Sequence, residues 1–213
     1  MKLSTELVPD LDKILNKSYF LNFIQSKGFS IKTVPSNLDQ VFSYYKKCIN
    51  DTFSSNVIML KGETFTQEFF LDENNNYFIN WCIPTAKKLI KCNKLKPVQL
   101  NLDNIINQVE NKEIERSYLA TAFKNKQPII IAYYPACPDP NVVIDGNHRV
   151  MAAYEKGERN INAYILSPNI HLEAMSSELD RLLFGIHYNL NWIGEAIAGY
   201  TSTNELAGKM VPI

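Results

Sequence analysis

The sequence predicts an α/β protein of the mixed α+β kind, and three observations predict it. From Pro97 to Leu166, short β-branched or alternating runs take turns with amphipathic helical stretches. Upstream, two aromatic-rich runs flank a polar turn, the pattern of a hairpin. Hydrophobic residues make up 46% of the 213 residues, which is enough for a buried core and excludes global disorder.

The elements follow in chain order. "NLDQVFSYYKKCINDTF" sets Leu38, Val41, Phe42, Tyr45, Ile49 and Phe53 on one helical face. "NVIMLKG" reads as a strand. "TFTQEFFL" and "NYFINW" read as two strands around "DENNN", and "TAKKLIKC" as a short helix. The basic run Lys87, Lys88, Lys91, Lys94, Lys96 reads either as a solvated helix face and linker or as a patch that meets phosphates. "VQLNL" alternates as a strand does. "NKEIERSYLATAFKN" reads as one helix with Ile114, Tyr118, Leu119, Ala122 and Phe123 on its stripe. "QPIIIAYY" is an apolar strand entered through Pro128. The three prolines of "PACPDPN" exclude helix and central strand. Strand "VVI", the bend "DGNHR", a helix over 148–156 and strand "NINAYIL" complete the series, with Gly157 at the left-handed helix end. "HLEAMSSELDRLLFGI" predicts one long amphipathic helix and "NWIGEAIAG" a shorter one. The expected organisation is an α+β segment at 1–95 without a readable role, a compact domain at 96–167 and a helical extension at 168–213.

Lys+Arg and Asp+Glu both number 22, so nothing favours a protein that grips nucleic acid over its whole surface. Four cysteines without a CxxC pair read as reduced thiols, and Cys137 has no neighbouring base to activate it. The first residues, "MKLSTELVPDLDKIL", lack the apolar core of a signal peptide, and no run is long enough to span a bilayer. The expectation is a soluble, cytoplasmic protein with no membrane partner.

The chemistry concentrates at "VVIDGNHRVMAAYEKG", residues 142–157. A strand that turns sharply into a helix leaves backbone N–H groups without partners, and with the helix dipole they form an anion site. Gly146 lets backbone approach a ligand. Asn147 is a neutral hydrogen-bonder, Arg149 a planar fork for phosphate or carboxylate, and His148 a group that donates, accepts or titrates near neutrality. Asp145 can hold Mg²⁺ or accept a proton. A phosphorylated ligand would use all five residue types; a capped turn would use Asp145 and Gly146 alone. Glu110, Glu113 and Glu115 start the helix beside the bend. They either hold Mg²⁺ on a phosphate chain or complement the helix dipole, with Glu113 and Glu115 the stronger candidates. His171 and His187 read as solvated or capping residues, and the aromatics of "YLATAF" and "FGIHYNLNW" as core or as base-stacking platforms.

Gln127-Pro128 opening a strand, followed by Ile144, Asp145, Gly146, Arg149, Ala152, Ala153 and Gly157 in the register (I/V)DG-x-x-R-x-x-A-A-x-x-x-G, resembles the N-terminal domain of ParB proteins and, more broadly, the ParB/sulfiredoxin-like fold. The resemblance covers residues 96–167. It implies a small mixed sheet with flanking helices, a phosphate cradle at Gly146, Asn147, His148 and Arg149, and a base or sugar near Gln127 and Pro128. Taking the resemblance with the residues themselves, we expect a nucleoside di- or triphosphate as ligand, Mg²⁺ as cofactor, and catalytic work for Asp145, His148, Glu113 and Glu115. Members include CTP-hydrolysing DNA clamps, ATP-using sulfiredoxins, free-serine kinases and nucleases. Asn147 stands where sulfiredoxin carries its cysteine, which excludes sulfinic-acid reduction. The expected function is therefore Mg²⁺-dependent phosphoryl transfer or nucleotide hydrolysis, by an ATP-binding phosphotransferase or hydrolase. The alternatives are a DNA-directed nuclease or nucleotide-gated DNA binder, and an interaction module without catalysis.

Overall fold

The computed structural model describes residues 10–54, 60–110, 114–135, 137 and 139–213. In chain order these form α1 (Leu11–Ile14), α2 (Lys17–Ser26), α3 (Leu38–Ser54), β1 (Thr64–Asp72), β2 (Asn75–Cys82) and α4 (Ile83–Cys92). Then come β3 (Val98–Asn101), α5 (Ile106–Glu110), α6 (Leu119–Lys124), β4 (Ile129–Tyr133), β5 (Asn141–Asp145) and α7 (Asn147–Glu155). The chain closes with β6 (Asn160–Leu166), α8 (Pro168–His171), α9 (Glu178–Ala198) and α10 (Thr203–Lys209). The fold is mixed α and β, as the sequence predicts. The strand expected in "NVIMLKG" falls mostly outside the described residues, and so does Glu113.

Two compact units interleave along the chain. One draws on Met1–Met59, Gln67–Asn80 and Ser177–Ile213, the other on Leu60–Thr66 and Trp81–Ser176.

The first unit is mainly helical and includes most of the β1–β2 hairpin, Gln67–Asn80. The stripe on α3 buries Leu38, Phe42, Tyr45 and Ile49, while Phe53, at the end of the helix, stays exposed. α3 packs on α9, which buries Ile186, Leu190, Ile193 and Ile197. Inside this apolar contact Asn189 is fully satisfied. Its Nδ2 donates to Tyr45 Oη and to the Val211 carbonyl, and its Oδ1 accepts from the Val211 N–H. A buried amide with all these bonds made fixes how the last residues lie on α9.

The long helix expected from His171 to Ile186 is interrupted. α8 and a 3-10 turn end at Ala174, Met175 is extended and bridges to Trp81, and α9 starts afresh at Ser177. Ser-x-x-Asp at 177–180 is a helix-start signal inside the amphipathic run, and its side-chain bonds outweigh the periodicity. Downstream, "NWIGEAIAG" is not a separate helix but the end of α9, which Gly199 closes at φ 80°. α10, unread in the sequence, carries a full capping box between Ser202 and Glu205.

The second unit holds a four-stranded mixed sheet in the order β3-β6-β4-β5. β4 is central, and Ile129, Ile130, Ile131 and Ala132 are all buried, as expected of a strand covered on both faces. β6 runs parallel to β4, while β3 and β5 run antiparallel to their neighbours. α7 is the crossover between β5 and β6, and its Val150 and Ala153 pack with Ile129, Ile131, Val143 and Ala163 in the core. The single helix expected over 111–125 is shorter than the pattern suggests. Ile114 and Glu115 are non-helical, a 3-10 turn covers Arg116–Tyr118, and α6 begins at Leu119.

Candidate functional site at the start of α7

The register of the sheet builds the site. Asp145 ends β5 opposite Ile130, so the bend that follows lies at the end of the sheet where β4 begins. Gly146 is the N-cap of α7 with φ 108°, in the left-handed region that favours glycine, and no side chain caps the helix. A Cβ at Gly146 would lie 2.6 Å from Ile129 Cγ2 and 2.9 Å from Arg149 Nη2, so the bend is closed to any larger residue. The Gly146 carbonyl accepts from the Arg149 and Val150 N–H groups, and the N–H groups of Asn147 and His148 have no acceptor among the described residues.

A cleft of about 460 Å³ opens over this bend. Its charged wall consists of Glu63, Lys87, Asp145 and Arg149, joined by His148, Tyr118 and Gln127. Asp145 sits between two cations: Oδ1 takes Arg149 Nη2 at 3.1 Å and Oδ2 takes Lys87 Nζ at 3.0 Å. Arg149 is also a brace. Its Nη1 donates to the carbonyls of Gln127 (2.6 Å) and Pro128 (2.9 Å), tying the entry of β4 to the exit of β5. Gln127 and Pro128 thus meet the DG-x-x-R box through their backbone oxygens. The guanidinium is nearly buried, whereas the Lys87 side chain is half-exposed. Asn147 Oδ1 and His148 Nε2 are buried without a hydrogen-bond partner among the described residues, and the His148 ring meets Tyr118 edge-on at 6.1 Å. Unsatisfied buried polar atoms cost roughly 1–3 kcal/mol each, so groups of this kind concentrated at one bend mark a place where a ligand can supply what the protein does not.

The structure brings together Asp145, Gly146, Asn147, His148, Arg149 and Gln127 on the cleft wall. It does not bring Glu115 there: that side chain is exposed and accepts from Ser117 Oγ. Glu63 and Lys87 reach the cleft instead. Lys87 belongs to the basic run seen in the sequence, while Glu63 carried no signal, because only tertiary folding sets it beside residues some eighty positions away. Among the described residues no cluster of three His, Cys, Asp or Glu side chains could hold a metal by itself.

Other sequence candidates resolve differently. His171 is not solvated but fully buried, with Nε2 at 3.1 Å from the Tyr133 carbonyl. Burial pulls its pKa down to about 4, against the opposing pull of that carbonyl. His187 is partly buried and bonds Tyr77 Oη at 2.7 Å, and burial pulls it down to about 4 as well. None of the four cysteines is disulfide-bonded. Burial first, and Asp139 second, push the Cys137 thiol up to about 12, which makes it inert. Phe184 and Tyr188 stack on each other inside α9's packing, whereas Tyr118 is exposed at the cleft. Among the described residues no helix is long and apolar enough to cross a membrane.

No protein-family model, curated protein or solved structure matches the chain.

Proposed function

We propose that the cleft at the start of α7 binds the phosphate chain of a nucleoside di- or triphosphate with Mg²⁺, and that the protein is a phosphotransferase or nucleotide hydrolase of the ParB/sulfiredoxin-like class. One observation carries this reading: a left-handed glycine opens a nine-residue helix without a side-chain cap, at the foot of a cleft with Lys87 and Arg149 on its wall. Uncapped first-turn amides, the helix dipole and two cations make a site for an anion with several oxygens.

Mg²⁺ is usually held by one or two carboxylates, with phosphate and water completing its shell. Asp145 and Glu63 on the cleft wall fit that requirement. There Mg²⁺ would neutralise charge on the phosphate chain. Lys87 would release Asp145 and turn to phosphate, Arg149 holds the bend in shape, and His148, whose Nε2 has no partner among the described residues, is the proposed proton carrier. The four unpaired cysteines suit a reducing, cytoplasmic setting. A second reading, a DNA phosphate in the same cleft, draws on the fact that α4, which supplies Lys87, also carries exposed Lys88 and Lys91.

Calorimetry with the four ribonucleoside triphosphates and Mg²⁺ tests the proposal. Lys87→Ala should weaken binding by about tenfold, the loss of one charge-assisted contact. It should leave the melting temperature nearly unchanged, because the half-exposed pair contributes little to stability. A folded wild-type protein that binds no nucleotide contradicts the reading.

A further inference from the structure

A second, smaller pocket of about 200 Å³ shares a wall with the cleft: Ala122, Asn125, Gln127 and Arg149 line both. Its far side is built from the ends of β3 and β6. The register sets Gln99 opposite Asn162, and β6 runs parallel to β4 with Ala163 beside Ile129, so Asn162 lies level with Pro128, next to Gln127. Five carboxamides thereby converge on one small space: Gln99, Asn125, Gln127, Asn160 and Asn162. Asn125 Oδ1 accepts from the Gln127 N–H, and the side-chain amides of Gln99, Gln127, Asn160 and Asn162 bond to no other residue among those described. Lys126, Arg149 and Glu158 also line the pocket, and Lys126 lies on the Phe123 ring, 4.2 Å from its centre. Carboxamides outnumber charged side chains in this pocket, whereas charged side chains outnumber carboxamides in the cleft beside it.

We infer that this amide pocket is the subsite for the neutral end of the ligand whose phosphates sit at α7: a nucleoside moiety that presents adjacent donors and acceptors. The inference rests on the phosphate reading of the cleft. A carboxamide offers two donors and an acceptor with two lone pairs, which matches the edge of a base or the hydroxyls of a ribose. The shared wall at Gln127 and Arg149 joins the charge-rich cleft to the amide-rich pocket.

The experiment compares inorganic tripolyphosphate with the four ribonucleoside triphosphates on the full chain, with Mg²⁺, by calorimetry. The expected result is that tripolyphosphate binds and that at least one nucleotide binds about tenfold tighter, the yield of one or two added hydrogen bonds. In Gln99→Ala/Asn162→Ala that nucleotide should fall to the affinity of tripolyphosphate, which itself stays unchanged. If tripolyphosphate binds and no nucleotide gains over it, the amide subsite is wrong and the phosphate site stands. If the double variant keeps the nucleotide's advantage, the subsite is wrong as well. If neither tripolyphosphate nor any nucleotide binds the wild type, the phosphate site is wrong and the subsite falls with it. The wild-type comparison needs no variant to fold, and Asn160→Ala provides a second, milder probe at the end of β6.

Discussion

Two helices in this protein begin in opposite ways. α9 starts at Ser177, whose Oγ accepts from the Asp180 N–H at 3.0 Å and donates to Asp180 Oδ2 at 2.5 Å. The other oxygen of Asp180 takes both the backbone N–H of Asn80 (3.0 Å) and its Nδ2 (2.9 Å). Burial pushes the Asp180 carboxyl up, and the bonds from Ser177 and Asn80 pull it back part of the way. α7 starts at a glycine with no side-chain cap, with two uncommitted amides and two buried polar atoms that have no partner among the described residues. A helix start that serves the fold is closed by its own side chains. The one that faces the cleft has donors without an acceptor among the described residues.

Protonation of a buried histidine should cost the most stability, and it touches neither helix start. An unfolded imidazole takes up its proton near pH 6.5, whereas folded His171 does so only near pH 4. Between those values the unfolded state binds more protons, so stability falls as pH drops through the window, by up to about 1.4 kcal/mol per pH unit. The loss reaches about 3 kcal/mol at pH 4. His187 acts in the same direction, and more weakly because it is partly exposed. Urea unfolding from pH 7 to 4.5 measures this, and a stability flat across the range contradicts the burial of His171.

Next in size is Asp180→Ala. It strips partners from Ser177 Oγ and from both donors of Asn80 in a buried setting, and should cost about 2–3 kcal/mol. Nucleotide affinity at 25 °C should not change, since the closed helix start is not part of the proposed site. Denaturant midpoints and calorimetry on the same sample separate the two effects. Gly146→Ala should show the reverse balance. Its left-handed φ and the crowding by Ile129 cost about 1–3 kcal/mol, less than a broken buried network, yet ligand binding should be lost altogether. Equal losses of stability and affinity in both variants would erase the contrast between the two helix starts.

The bend was legible in the sequence because everything that makes it is local. A β-branched run, Asp-Gly, and a helix ended by Gly157 lie within sixteen residues, and the structure places β5, α7 and β6 within a residue or so of the expected positions. β4 was legible for the same reason. What surrounds the bend was not. Arg149 reads as a free fork, but its Nη1 is committed to two carbonyls at the entry of β4, a tertiary fact without a local trace. Glu63 joins the cleft from a connecting segment, while Glu115, in the non-helical stretch before the 3-10 turn at Arg116–Tyr118, stays outside it. The break before α9 and the start of α10 were written in Ser-x-x-Asp and Ser-x-x-Glu. At 171–186 the hydrophobic period masked the first signal; α10 is too short for its period to call attention to the second.

The most direct test of the central claim reads the two helix starts at once. In an amide-resolved NMR titration with tripolyphosphate and Mg²⁺, the N–H resonances of Asn147 and His148 should shift along one saturable curve. The N–H of Asp180, already bonded to Ser177 Oγ, should stay in place. Asn147 and His148 resonances that do not move at saturating tripolyphosphate, or that move no more than Asp180's, would contradict the account.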